Sequence, residues 1–248
     1  VGIKEEYAKG YDIPFFRTTP SHCLIGLGKM IESARAAGDF DVPRNQFIYI
    51  KTAHPALLAI NTVRITNIDA SDPLQLSSGL AEGYRQIDVL MGFMNKYVPG
   101  FENAVISQIS PTLGIRETRH FKARTRLTKE SMYAYKTDEE TIALCGYNVD
   151  IHSGTSDHID LSLLQKPFGM PYGSMVPLGV RNLLMVGRTI DVDTEVFAAA
   201  RVMGPIIAMG EAAGVAAAQC VHENKRPADV DVKRVREILL SHGAVLEV

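Results

Sequence analysis

Apolar side chains recur at intervals near 3.6 residues between positions 76 and 97, which is typical of a helix that packs one face on a sheet. Asp72 stands just before this run as a candidate N-cap, and Pro73 occupies the first helical position. Pro99-Gly100 ends the pattern, because neither residue continues a helix well. The sequence therefore predicts one long helix, whose apolar positions are Leu76, Leu80, Ile87, Leu90, Met91, Met94 and Tyr97.

Shorter apolar runs on both sides of this helix predict an antiparallel sheet with packed helices. An apolar run over 22–28 predicts a strand, and 29–37 predicts a short helix. The β-rich runs 47–50 and 57–65 are separated by a turn that contains proline, which is typical of a hairpin. The remaining predicted elements of this part are strands over 104–109, 113–118 and 121–127, a short helix after Thr128, a helix over 138–144 and a long loop over 145–169.

The C-terminal part of the chain predicts a second structural unit in which strands are followed by helices. Together, the patterns predict an α+β fold. Residues 1–170 form its sheet domain, with mainly antiparallel strands and packed helices, and 171–248 form a strand-loop-helix domain. The elements predicted in the second domain are strands over 172–176 and 183–186, a helix of small residues over 205–222 and an amphipathic helix over 232–242.

The composition is that of an ordinary soluble globular protein. Of the 248 residues, 46% are hydrophobic and 22% are charged, which provides enough apolar material for a sizeable core. The net charge of -2 is spread without blocks of like charge, which argues against nucleic acid or an anionic membrane as partner. The most apolar stretch, 205–221, is interrupted by Glu211, so no membrane-spanning segment is predicted. Three cysteines without disulfide or zinc spacing predict reduced thiols and a cytoplasmic location.

The segment from Asn182 to Val221 combines features that suit a flavin. A predicted buried strand ends at Gly187-Arg188, where glycine lets a ligand approach the backbone. The next predicted helix begins at Gly204-Pro205, so its free N–H groups and the positive end of its dipole face whatever is bound there. Such a helix stabilises the negative charge that reduction places at the N1/C2-carbonyl edge of a flavin. The residues alone leave open a close-packed Ala/Gly helix in the core of any α/β protein.

The same segment resembles the C-terminal signature of a bacterial family of FAD-dependent oxidoreductases. The residues that carry the resemblance are Asn-Leu-Leu-Met-Val-Gly-Arg at 182–188, Arg-Val-Met at 201–203 and the Gly/Ala-rich run 209–218. The family is similar to the glutathione-reductase-like flavoproteins, and some of its members carry the name xanthan lyase. The resemblance covers most of the chain from about Ile60 onward. It implies that FAD is the cofactor and that the residues lining it are Gly187, Arg188, Arg201, Val202, Met203 and Gly204.

Three further residues are candidates for chemistry on a substrate. Arg116 and Arg119 are predicted to lie on opposite faces of a strand, where a guanidinium beside a flavin can bind a carboxylate or polarise a carbonyl. An ion-paired strand edge is the alternative, and the resemblance favours the substrate role for Arg116 and, less strongly, for Arg119. His152 is a candidate for proton transfer, against the alternative of a structural or solvated loop histidine. Thr194 stands where family members have a histidine, so the resemblance assigns no catalytic residue to that loop.

The chain lacks the G-x-G-x-x-G turn through which such enzymes bind the ADP part of FAD. The nearest match, Gly26-Leu-Gly28-Lys-Met-Ile31, has isoleucine where close helix packing needs glycine or alanine. The chain also begins with Val1, so the sequence predicts a fragment whose N-terminal Rossmann segment is missing or lies on a partner chain. These observations leave open whether the isolated chain holds FAD by itself. A homo-oligomer is compatible with the pattern.

Two functions follow from these observations. The first is the flavin- and substrate-facing part of an FAD-dependent oxidoreductase, which transfers hydride between a small organic substrate and the flavin. The alternative is a non-catalytic binding or assembly module that lacks cofactor on its own. No G-x-S-x-G, H-E-x-x-H or Cys-His arrangement supports a hydrolase. The sequence names neither the substrate nor the electron acceptor.

Overall fold

The structure is a computed structural model that describes residues 22–54, 56–152 and 159–247. These residues combine helices with antiparallel strand pairs, which confirms the predicted α+β class. The chain divides between Gly114 and Ile115 into two compact units, each with its own hydrophobic core. The domain boundary predicted near residue 170 does not coincide with this division, and it stays a prediction.

A three-stranded antiparallel sheet organises the first unit. Its strands pair in the order β1 (His22–Gly26), β2 (Phe47–Lys51) and β3 (Leu58–Ile60). The predicted first strand and hairpin are confirmed, although β3 is shorter than the predicted run 57–65. Just beyond β3, the Asn61 N–H still donates to the Ile48 carbonyl at 2.9 Å, but the Ile48 N–H donates to the Thr62 hydroxyl at 2.9 Å instead of to a backbone carbonyl.

Two helices complete the first unit, α1 (Gly28–Ala36) and α2 (Pro73–Tyr97). The predicted cap of α2 is confirmed, because the Asp72 carboxylate accepts the Leu74 N–H at 2.9 Å. Phe93 on α2 is fully buried, and its ring stacks on the Phe47 ring of β2 with centroids 5.8 Å apart. The apolar face predicted for α2 therefore forms the core with the sheet.

The second unit packs two antiparallel strand pairs against helices. Strand β4 (Thr141–Cys145) pairs with β7 (Phe168–Pro171), and β5 (Val149–His152) pairs with β6 (Ile159–Ser162). Helix α5 packs on β4 and helix α4 packs on β5, so the α4–α5 junction is anchored to both strand pairs. The helices of this unit are α3 (Lys129–Tyr133), α4 (Thr194–Ala200), α5 (Met203–Glu223) and α6 (Val232–Ser241).

The second unit also holds the largest errors of the sequence-based predictions. The predicted helix over 138–144 is wrong, because 141–145 forms β4, and the predicted loop over 145–169 contains β5, β6 and the start of β7. Four of the five residues of β4 are buried. A short strand that is buried on both faces shows no period of two, so its pattern does not distinguish it from a buried helix.

Several predicted strands are absent from the part of the chain that the structure describes. The segments 104–109 and 113–118 run without a strand partner, and 121–127 makes only the isolated bridges Ala123–Pro177 and Leu127–Val192. The predicted strand 172–176 is largely a 3-10 helix, Tyr172–Met175. The side chains of these segments favour β structure. A strand also needs a neighbouring strand to pair with, and the propensity of a segment does not show whether one is present.

Candidate functional site

The proposed flavin-lining turn begins at Gly187, which has a backbone φ of 93°. This left-handed conformation favours glycine, and no atom lies within 4 Å of the position that a β-carbon would occupy. The Ile190 N–H closes the turn on the Gly187 carbonyl at 3.4 Å. The predicted strand 183–186 is wrong, because this segment forms no strand ladder, although the Met185 N–H donates to the Met175 carbonyl at 2.9 Å. The turn at the end of the segment is nevertheless open on its glycine side.

The charged segment 115–121 lies alongside this turn. The Phe121 N–H donates to the Thr189 carbonyl at 3.0 Å, and the His120 Nδ1 lies 2.6 Å from the Ile190 carbonyl oxygen. These contacts bring the segment that carries Arg116 and Arg119 to the turn that carries Arg188. The three arginines are exposed, and they make no hydrogen bond or ion pair with any residue that the structure describes.

Arg201 occupies the junction between α4 and α5, and its side chain is only 12% exposed. Its Nη2 donates to the Asp150 carbonyl at 2.8 Å and lies 3.6 Å from the Asp150 carboxylate. Its guanidinium carbon lies 5.6 Å from the centre of the Phe197 ring. Burial, together with the neighbouring charge of Arg116, lowers the pKa of Arg201, and Asp150 opposes that effect. The structure thus brings two of the predicted site residues, Arg116 and Arg201, within electrostatic reach of each other.

Helix α5 begins directly after Arg201 and presents an uncapped N-terminus. It starts at Met203, two residues earlier than predicted, and its N-cap Val202 has no side chain that can accept a hydrogen bond. Met203 and Gly204 are both exposed. The first-turn N–H groups and the positive end of the helix dipole are therefore available to an anionic or partly negative group.

Contacts through two aromatic rings connect the turn to the start of α5. The His120 ring meets the Phe197 ring edge-on, with centroids 5.2 Å apart, and the Arg201 guanidinium lies over the same phenyl ring. The Ile190 carbonyl, His120, Phe197 and Arg201 thus form one continuous series of contacts. Sequence reasoning missed the role of His120 and of Phe197, because their partners lie in segments that are distant along the chain.

One predicted catalytic residue is only partly described. His152 ends β5, where its backbone pairs with Ile159, and its side chain lies outside the described part of the structure. Asp150, two residues earlier on β5, holds the Arg201 guanidinium through its carbonyl. Strand β5 therefore lies beside Arg201, whereas the proton-transfer role of His152 stays a prediction.

Exposed apolar side chains and glycines follow one line along α5. Met203, Ile207 and Val221 are 79%, 68% and 81% exposed. Gly210 and Gly214 on the same face have no atom within 4 Å of the position that a β-carbon would occupy. Among the described residues, α5 is also the one helix with the length and apolar composition to cross a membrane, a test that core helices of soluble proteins also pass.

Comparison with known families identifies the class of protein to which these features belong. The profile of the FAD dependent oxidoreductase family matches residues 15–239. The chain therefore belongs to the family of FAD-dependent oxidoreductases, its function is flavin-dependent redox chemistry, and its cofactor is FAD. Comparisons with curated proteins and with solved structures found no match.

The residues of the second unit fit one end of this cofactor. The open glycine turn lets a planar ring approach the backbone, and the uncapped start of α5 suits the partly negative carbonyl edge of a flavin. The unpaired arginines nearby suit an anionic group of the cofactor or of a substrate. The sequence contains no G-x-G-x-x-G turn for the pyrophosphate.

Proposed function

We propose that this chain forms the flavin- and substrate-facing part of an FAD-dependent oxidoreductase that acts on a small organic substrate. The observation that carries the proposal is the connection of the Gly187 turn, buried Arg201 and the uncapped start of α5 through His120 and Phe197. FAD, when bound, supplies the group that accepts or donates a hydride. The residues of the chain then bind, orient and stabilise charge around it.

The flavin-lining roles follow from backbone and charge. The turn at Gly187 gives a ring access to the backbone, and Val202, Met203 and Gly204 carry the N–H groups at the start of α5 that are not satisfied within the helix. Arg201 is fixed by Asp150 and Phe197, so its positive charge adds to that of the helix dipole at a defined place. Both charges stabilise negative charge at the carbonyl edge of the flavin.

The substrate role belongs to Arg116 in this proposal. Its guanidinium is exposed and unpaired among the described residues, and it acts electrostatically on Arg201. Two neighbouring cations repel each other, so an anionic group between them is favoured. A carboxylate on the substrate satisfies this requirement, and Arg116 orients it. Arg119, on the same segment, is the second candidate for that contact.

The exposed face of α5 supports a further part of the proposal, that a nucleotide-binding βαβ unit outside the described residues packs there. Glycine in a helix interior costs about 1 kcal/mol relative to alanine. Gly210 and Gly214 carry this cost, yet no atom of the described chain approaches them. A tightly packed neighbour explains both glycines, since it would leave no room for larger side chains. The rival function, a non-catalytic module that acts beside a partner chain, would use the same face.

The visible absorption spectrum of the purified protein, with and without added FAD, tests the proposal. We expect flavin absorbance that co-elutes with the protein, and at least a roughly tenfold weaker FAD affinity in Gly187→Val, because a branched side chain is strained at positive φ and blocks approach to the turn. Arg201→Ala is expected to weaken FAD binding in the same direction.

Gly179→Val is the matched control for Gly187→Val. Gly179 also has a positive φ, of 75°, and open space around it, but it lies outside the proposed site. Equal losses in the two glycine variants would contradict the placement of the flavin at the Gly187 turn. A colourless protein that takes up no FAD would favour the rival module and would overturn the claim that this chain holds the cofactor by itself.

A further inference from the structure

His120 makes two polar contacts, and both of its partners are hydrogen-bond acceptors. Its Nδ1 lies 2.6 Å from the carbonyl oxygen of Ile190, and its Nε2 lies 2.8 Å from Oε1 of Glu117. A backbone carbonyl cannot donate, so Nδ1 carries a proton. In a neutral imidazole Nε2 would then be unprotonated and could only accept a hydrogen bond. The ionised Glu117 carboxylate is also only an acceptor, so no hydrogen bond could form between them.

The proton count of the pair follows from these contacts. Both hydrogen bonds form together only if the Glu117–His120 pair holds one proton more than a neutral imidazole and an ionised carboxylate would hold. That proton lies between Nε2 and Oε1, where it makes a short, charge-assisted bond. The His120 side chain is 25% exposed and that of Glu117 is 51% exposed, so the pair stands at the edge of the unit rather than in its core.

We propose that Glu117 and His120 share this additional proton, and that His120 is a positioning residue that fixes the Gly187 turn relative to Arg201. The turn is held through the Ile190 carbonyl, and Arg201 is held through the Phe197 ring, which contacts both His120 and the guanidinium. The functional consequence rests on the proposed flavin site.

The charged groups around the pair lie on its own segment and at the α4–α5 junction. Glu117 is the one carboxylate in direct contact with the ring among the described residues, while Arg116 and Arg119 flank it on the same segment and Arg201 lies across the Phe197 ring. Glu117 and His120 thus form a clamp that is complete only while the pair holds the additional proton, because without it one of the two His120 contacts is lost.

Nitrogen NMR of the histidine ring tests the shared proton directly and requires no FAD. In protein labelled with ¹⁵N and studied at neutral pH, we expect both ring nitrogens of His120 to show the chemical shift of protonated nitrogens. Glu117→Gln is the matched variant, because its amide N–H can donate to a bare Nε2. In that variant we expect one protonated and one unprotonated nitrogen. A wild-type ring with a single protonated nitrogen would overturn the proposal.

Amide hydrogen exchange tests the positioning role. The Phe121 N–H, which bonds to Thr189 on the turn, reports how firmly the turn is held. His120→Phe keeps a ring against Phe197 but removes both polar contacts. We expect the Phe121 amide to exchange about tenfold faster, because the turn loses the one hydrogen bond that His120 makes to it. Glu117→Gln should leave the exchange rate within about twofold of wild type, because one hydrogen bond replaces the other.

The two proposals fail separately. Unchanged exchange of the Phe121 amide in His120→Phe would remove the positioning role, whatever the cofactor does. If the protein binds no FAD, but the wild-type ring is doubly protonated and exchange is faster in His120→Phe, the clamp is supported and the proposed flavin site is contradicted. With FAD bound, we also expect His120→Phe to weaken FAD affinity about tenfold, and wild-type affinity in that variant would contradict the link between clamp and site.

Discussion

At the scale of single residues, carboxylates tie the backbone around the site together. Asp191 is 4% exposed, and its carboxylate accepts from Arg126 Nη1 at 2.5 Å and from the Ala123 N–H at 3.2 Å. Asp193, two residues later, accepts from the Lys129 N–H at 3.0 Å and from the same arginine at 2.8 Å. These contacts hold the segment 122–129 against the segment that leads from the turn into α4.

Asp193 makes the stability of the protein depend on pH in a defined direction. The Lys129 backbone N–H, together with Arg126, lowers the pKa of Asp193. The folded protein therefore binds this proton less tightly than the unfolded chain does. The stabilisation is fully present above the usual pKa of an aspartate and is lost as the pH falls through the lowered value.

Urea unfolding of the wild type and of Asp193→Asn at a series of pH values measures this effect. We expect the variant to be less stable than the wild type at neutral pH, and the difference to shrink as the pH is lowered below the usual range of aspartate pKa values. Lys122→Ala is a suitable control, because this exposed side chain lies 3.9 Å from Asp191 and should change the free energy of unfolding by less than about 0.5 kcal/mol. A difference between wild type and variant that stays constant down to acid pH would contradict the role of the ionised carboxylate.

At the scale of elements, α5 has a buried face and an exposed face, and the two differ in the size of side chain that they can accept. Met209, Ala212 and Ala216 are fully buried against the rest of the unit, whereas Gly210 and Gly214 face away from it. The buried face needs small side chains to pack closely within the unit. The exposed face has no such requirement in the described chain, so its glycines lower helix stability without an internal benefit.

Gly210→Ala should therefore stabilise the chain by about 0.5–1 kcal/mol, because alanine is the better helix former and a β-carbon there meets no atom within 4 Å. The free energy of unfolding, measured in urea, gives the value. In a protein that also contains the proposed nucleotide-binding unit, Gly210→Leu should weaken FAD retention, since the larger side chain would separate that unit from α5.

Gly173→Ala provides the contrast at a glycine that the fold itself requires. A β-carbon there would lie 2.2 Å from Thr125 Oγ1, so we expect a loss of about 1–3 kcal/mol. If Gly210→Ala were destabilising by a similar amount, the glycine face of α5 would already be covered within the chain, and the proposal that a nucleotide-binding unit packs on it would be wrong.

At the scale of the whole molecule, the sequence predicted what depends on local pattern. The period of 3.6 placed α2, and Asp72 and Thr128 marked the starts of α2 and α3. These features depend on residues within one or two helical turns of each other, so they can be predicted from the local sequence pattern.

The features that the sequence did not predict depend on distant partners. Strand β4 is buried on both faces by elements from elsewhere in the unit, and His120 is joined to Ile190, which lies 70 residues further along the chain. The Gly187 turn was predicted as a strand end, although the turn itself forms without a strand. The motif thus gave the candidate site residues, whereas the contacts that connect them through His120 and Phe197 required the structure.

The central claim is that the flavin of FAD lies between the Gly187 turn and the start of α5. Amide hydrogen exchange followed by mass spectrometry, with and without saturating FAD, tests it most directly. We predict slower exchange in peptides that contain 188–190 and 203–206 when FAD is bound, because a ligand there covers N–H groups that are otherwise open to water. Flavin absorbance on the protein, with exchange in both peptides unchanged and protection confined to residues 22–114, would contradict the claim.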